Sequence, residues 1–195
     1  MPLLIVDQGE NNRIEINPDV IATSSGVVNT VGNNNTLIIE AGCTLADCNI
    51  KLVENCSFQA CENSGLAKLD VYAADNGHVR IGAECWFAFH TRLYLHEPAS
   101  IIIGDRCLIA SKTLITVSDM HEILDMDSGD RINPAQTVMI EDGVWLGEEV
   151  AVMKGAVIGA GSAVGFRSVV TTTIPPNSLA VGIPARVIRD RITWR

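Results

Sequence analysis

Aromatic residues are scarce in this chain. Phe, Tyr and Trp make up 5% of it, although hydrophobic residues make up 47%. A broad globular core leans on large rings, so this composition excludes one and points to a thin interior of stacked aliphatics. Basic residues are few as well. The 14 Lys and Arg face 23 Asp and Glu, for a net charge of −9. That balance argues against non-specific binding to nucleic acid or to an anionic membrane surface, and no nucleic-acid partner is expected. No run approaches the roughly 20 apolar residues of a transmembrane helix. The opening Met1-Pro2-Leu3-Leu4-Ile5-Val6-Asp7 lacks the basic flank and the apolar length of a signal peptide. A soluble cytoplasmic protein is therefore expected. Six cysteines are present without a Cys-x-x-Cys pair or metal-finger spacing, and no metal site is expected.

What the chain does have is a repeat of six. Ile140, Leu146, Val152, Ile158, Val164 and Val170 follow one another at six-residue intervals without a break. A helix face repeats about every 3.6 residues and a half-buried strand about every 2. A sustained period of six means that the chain turns a corner each time, with an aliphatic pointing inward. This is the pattern of a parallel β-helix. Gly147, Gly159 and Gly165 follow three of these aliphatics, where the corner is expected to need a permissive backbone. Val144, Val150, Ala156, Ser162 and Ser168 sit four residues after theirs and suit a narrow inward slot. Cys43, Cys56, Cys85 and Cys107 hold the same slot after Ile39, Leu52, Ile81 and Ile103. There a free Cys acts as a compact hydrophobe, in keeping with a reducing compartment.

Further phases precede this run: Ile81, Phe87 and Leu93, then Ile103, Ile109 and Ile115, with weaker echoes at Ile39, Leu45, Leu52 and Phe58. Turns with extra residues, such as Glu97-Pro98-Ala99-Ser100, account for each change of phase. The expected architecture is all-β, one β-helix domain over residues 1–195. Its largest interruption is a polar loop over 118–137, which is expected to project from the prism, and 171–195 form a C-terminal cap and tail. A loop of this length inside a compact domain is commonly functional.

The run from Ile140 through Val144, Trp145 and Gly147, the repeats after it, and the stretch from Ile174-Pro175-Pro176-Asn177 to Gly182-Ile183-Pro184-Ala185-Arg186 resemble the hexapeptide-repeat acyltransferases. Ser118-Asp119-Met120-His121 and Arg131-Ile132-Asn133-Pro134 are similar to segments of bacterial polysaccharide O-acetyltransferases, including the polysialic acid O-acetyltransferases. Asn12 to Asn17 and Gly32 to Asn35 are similar to the same group. The resemblance implies a left-handed β-helix with about 18 residues per coil, three hexapeptides to a turn. It also implies a homotrimer with a site in each cleft between subunits, acetyl-CoA as donor, and a sugar or glycan hydroxyl as acceptor.

Acyl transfer to a hydroxyl needs a base, and His suits that role near neutral pH. Of His78, His90, His96 and His121, the last matches the family's catalytic His, and Asp119 is the candidate to orient it. His90 falls near an Asn that some sugar acetyltransferases use for the oxyanion, and it is read as a substrate-side residue with Arg131. Trp145, which faces outward in the repeat, matches the family's aromatic beside donor and acceptor; Trp86 holds the same repeat position. The resemblance assigns CoA to the C-terminal coils, at Gly147, Gly165, Phe166, Arg167, Thr171, Thr172, Arg186 and Arg189. Two departures stand out: Thr172 replaces a common phosphate-binding Lys, and Phe166-Arg167 replaces a common Ala-Gly. Other readings on this fold are an N-acetyltransferase of an amino sugar, a serine or antibiotic acetyltransferase, a γ-class carbonic anhydrase, and a β-solenoid scaffold without activity.

Overall fold

The computed structural model describes residues 2–195. Three sheets of eight, seven and eight strands, parallel except for the last strand of the third, form the faces of a prism, a left-handed β-helix of about eight turns. The first face runs from Leu3–Asp7 to Val169–Val170, the second from Arg13–Ile16 to Val157–Ile158, and the third from Thr44–Ala46 to Leu179–Gly182. The third face ends with Ala185–Arg189, which turns back antiparallel on Leu179–Gly182. Among the described residues no helix is long and apolar enough to cross a membrane. A short helix, Pro18–Thr23, starts at Asn17, whose side chain accepts from the Asp19 amide at 3.0 Å, and it buries Val20 against the prism.

The sequence phases are the rungs of one ladder. Ile81, Ile103, Ile140 and Ile158 pair in register down the second face. Phe87, Ile109, Leu146 and Val164 do the same on the third, and Leu93, Ile115, Val152 and Val170 on the first. All of these side chains are buried. Each contributes about 1.5–3 kcal/mol of apolar burial. The slot residues Val144, Val150, Ala156, Ser162 and Ser168 are fully buried too. Buried polar slots are satisfied by the next coil: Ser64 Oγ donates to the Gly82 carbonyl at 2.9 Å and accepts from the Cys85 amide at 3.0 Å. All six cysteines are buried free thiols.

Two expectations are corrected. A coil of 18 residues holds only near the C-terminal end, where Glu149 meets Arg167 across 18 positions; nearer the N-terminus Asn49 meets Asp70 across 21. The longer early coils are why the period reads there as echoes. Gly147, Gly159 and Gly165 are also not the left-handed corner residues. That conformation falls on Gly143, Gly155 and Gly161, and on side chains such as Glu149 and Arg167. Gly147 is needed for close coil stacking, because a Cβ there would meet the Phe166 amide nitrogen at 2.9 Å.

Candidate active site

The loop leaves the first face after Leu114–Thr116 and re-enters the second at Val138–Ile140, spanning the corner between them. Its two ends are tied together at the root. The Asn133 side-chain amide donates to the His121 carbonyl at 2.8 Å and to Asp119 Oδ2 at 2.9 Å, while its oxygen accepts from the Ile123 amide at 2.7 Å. Lys154, one coil away, places Nζ 2.5 Å from Asp119 Oδ2 and 2.9 Å from the Asn133 carbonyl. The bonds from Lys154 and then Asn133 hold the Asp119 carboxyl below the usual carboxylate range.

A second strut lies beside the first. Arg131 forks onto Glu97, with Nη1–Oε1 at 2.6 Å and Nη2–Oε2 at 2.9 Å, and Ser118 Oγ donates to the same carboxylate. The Arg131 bond, reinforced by Ser118, pulls the Glu97 carboxyl down to about 2. His121 emerges between these struts. Its amide donates to the Asp119 carbonyl at 2.8 Å, and its residue is exposed. The Asp119 carboxylate is thus turned to Lys154 and Asn133 rather than to the His121 ring. It fixes the backbone that carries His121 instead of the imidazole itself. Arg131 is likewise engaged by Glu97 as a strut of the loop.

Trp145 stands outward on the third face, 40% exposed. The tail returns over it: Trp194 lies 6.0 Å from Trp145 between ring centroids, and its indole N–H donates to the Gly143 carbonyl at 2.8 Å. Trp145, Ala163, Leu179 and Trp194 enclose a hollow of about 420 Å³, with Arg189 and Arg191 among its lining. Phe166 is exposed, and the Arg167 guanidinium lies 4.9 Å from its ring while Nε meets Glu149 at 2.5 Å. Arg167 is therefore tied to a carboxylate. Thr171 and Thr172 are exposed just after Val169–Val170. Arg186 Nη1 donates to the Ala185 carbonyl at 3.0 Å. His90 sits in a left-handed corner conformation, φ 66°, at a separate hollow that it shares with Lys68, Asp70, Arg92 and Lys112. Trp86 is 59% exposed, its ring against Gly65, where a Cβ would collide with it.

Within one chain the main candidates stand apart, and His90 belongs to neither of the two largest groups. Trp145, Arg189 and the tail gather on the third face. His121, Asp119 and Arg131 gather at the corner between the first and second faces, across the prism. Sequence reasoning missed Lys154, Glu97 and Trp194. Asn133 was in view only as part of a motif, and no local pattern marks a residue that acts from the next coil.

No family model matches the chain. It is 32% identical over 153 residues to the polysialic acid O-acetyltransferase of Neisseria meningitidis, covering 76% of this chain and 69% of that one. It spans 32% to 58% of the lengths of three other curated O-acetyltransferases that it matches. The solved polysialic-acid-specific acetyltransferase NeuO superposes with a TM-score of 0.88 at 29% identity, over 100% of this chain and 89% of that one. A hexapeptide-repeat acetyltransferase of Vibrio cholerae, solved with acetyl-CoA, superposes at 0.51 and 29% identity over 63% of this chain and 64% of that one. With its stacked rungs and these relatives, the chain belongs to the hexapeptide-repeat acetyltransferase family, alongside the polysialic acid O-acetyltransferases.

Proposed function

We propose that the chain is an acetyl-CoA-dependent O-acetyltransferase that transfers acetyl directly to a hydroxyl of a bacterial surface glycan or its precursor, with His121 as general base. The observation that carries this reading is the braced loop root. Bonds through Asp119 and Asn133 hold the His121 backbone on both sides while its residue stays exposed. With its backbone held, the exposed imidazole can swing onto a hydroxyl brought to the loop root and accept its proton. The acceptor hydroxyl gives its proton to His121 as its oxygen attacks the thioester carbonyl. The tetrahedral intermediate then collapses, and the departing CoA sulfur takes the proton back from the imidazolium. No covalent Ser or Cys intermediate is needed, and the six thiols are buried in the prism.

The donor reading is supported by the relative solved with acetyl-CoA, and the glycan reading by the polysialic acid O-acetyltransferases. On the donor side, Arg186 and Arg189 supply cations for phosphates. Gly147, Gly165, Phe166, Thr171 and Thr172 line the coils along which the CoA arm runs. Topology favours a homotrimer. His121 leaves the corner opposite the face that bears Trp145, an arrangement that a neighbouring copy would complete by setting its Trp145 beside the loop. Cytoplasmic location follows from the use of acetyl-CoA and fits the unpaired thiols.

The test is acetyl transfer from acetyl-CoA across purified glycans and sugar nucleotides, followed by release of free CoA thiol and by mass and NMR analysis of the product. The account expects an ester on a sugar hydroxyl. Acetylation of an amine, or no binding of acetyl-CoA by calorimetry, would contradict it.

A further inference from the structure

The first face carries a group of residues that the loop and the C-terminal coils leave unexplained. The chain has only two tyrosines, and both are here: Tyr72 pairs with Tyr94 on neighbouring coils. His96 completes the group. Its ring lies 4.9 Å from Tyr72 at 35°, and 5.6 Å from Tyr94 at 71°. All three are half-buried on the outer surface of the prism. The Tyr94 phenol donates to Asp70 Oδ2 at 2.6 Å, and Asn49 Nδ2 donates to Asp70 Oδ1 at 2.7 Å. Burial and the bond to Asp70 push the Tyr94 phenol up to about 12, so it remains a donor through neutral pH. Lys51 Nζ lies 5.7 Å from the Tyr72 ring centroid.

We propose that Tyr72, Tyr94 and His96, with Asp70, form the acceptor subsite, a platform that takes one pyranose ring of the glycan and presents its hydroxyl to the His121 loop. The proposal rests on the O-acetyltransferase reading above. Continuity with the loop is its main support. A hollow of about 330 Å³ is lined by Tyr94 and His96 on one side and by the root residues Ser118, Asp119 and Met120 on the other. That volume lies at the low end of small-molecule sites, about 300–1,000 Å³. Met120 adjoins His121 directly in the chain.

The chemistry selects a sugar over the CoA end of the reaction. A pyranose has an apolar C–H face for aromatic rings and a rim of hydroxyls for hydrogen bonding. The Asp70 carboxylate retains lone pairs for hydroxyl donors. The bonds from Asn49 and Tyr94 hold that carboxylate in place before any ligand arrives, which lowers the ordering cost of binding.

The test is steady-state transfer from acetyl-CoA to a polysialic acid oligomer and to a galactoside, with mass measured by light scattering. Tyr72→Ala and His96→Ala are expected to raise the acceptor KM about tenfold, as loss of an aromatic contact predicts. The KM for acetyl-CoA is expected to stay within about twofold and the assembly mass to be unchanged. Tyr72→Phe is expected to restore the acceptor KM, because it keeps the ring. An acceptor KM that stays near wild type in both Ala variants overturns the subsite while leaving the activity standing. Collapse of the variants to monomers overturns it in favour of a second copy on this face. A wild-type chain that acetylates no glycan or sugar nucleotide overturns the subsite and the functional reading together.

Discussion

The side-chain amide of Asn133 bonds the carbonyl of His121 at 2.8 Å, so the returning strand of the loop closes on the residue that the outgoing strand delivers. The same amide reaches Asp119 Oδ2 at 2.9 Å. A base held this way has its position set from outside its own segment. Asn133→Ala should therefore lower turnover by about 10–100-fold, the scale of a small misplacement of a reacting group. Acetyl-CoA affinity should not change. Steady-state kinetics paired with calorimetry separates the two quantities, and an equal loss of donor affinity would mean that the loop supports the donor site instead.

The Glu97–Arg131 strut has a defined pH window. The folded Glu97 carboxyl titrates near 2, depressed from 4.5 by Arg131 and Ser118. A depressed acid stabilises the fold above its unfolded pKa and loses that contribution as pH falls toward the folded value. Glu97→Gln should accordingly loosen the loop at pH 6, and the gap from wild type should close between about pH 4.5 and about pH 2. Limited proteolysis within residues 122–130 with an acid-stable protease, across that range, reads the gap directly.

The stack of inward cysteines gives a chemical check on the fold. Burial pushes the Cys48 thiol up to about 11, and thiolate is the reactive form. All six thiols should be silent to a thiol reagent in the native protein and titrate together after denaturation. Fast reaction of one or more in the native state would show that the prism opens locally.

Much of the prism was legible in the sequence, because each coil repeats the same steric demand. An aliphatic at Ile140, Leu146 or Val152 fills one rung, and a small residue fills the slot beside it. The early coils were harder to read, since added corner residues shift the phase without disturbing the stacking of Ile81 on Ile103. His121 and Trp145 could be singled out because they stand where the repeat is broken or turned outward and because both match residues of the family that the chain resembles. Their supports could not. Lys154 is 21 positions from Asn133, and Glu97 is 34 from Arg131. Those distances close only when successive coils stack. Trp194 reaches Gly143 across 51 positions, and only the return of the tail along the third face brings them together.

The central claim is that the break in the repeat holds the catalytic base. It is tested most directly by the turnover of His121→Ala, measured as acetyl ester formed on the glycan that wild type acetylates, in protein shown to have the wild-type mass and acetyl-CoA affinity. The account predicts a loss of about 10²–10⁴-fold, the usual contribution of a general base. Near-normal turnover in that variant would contradict it.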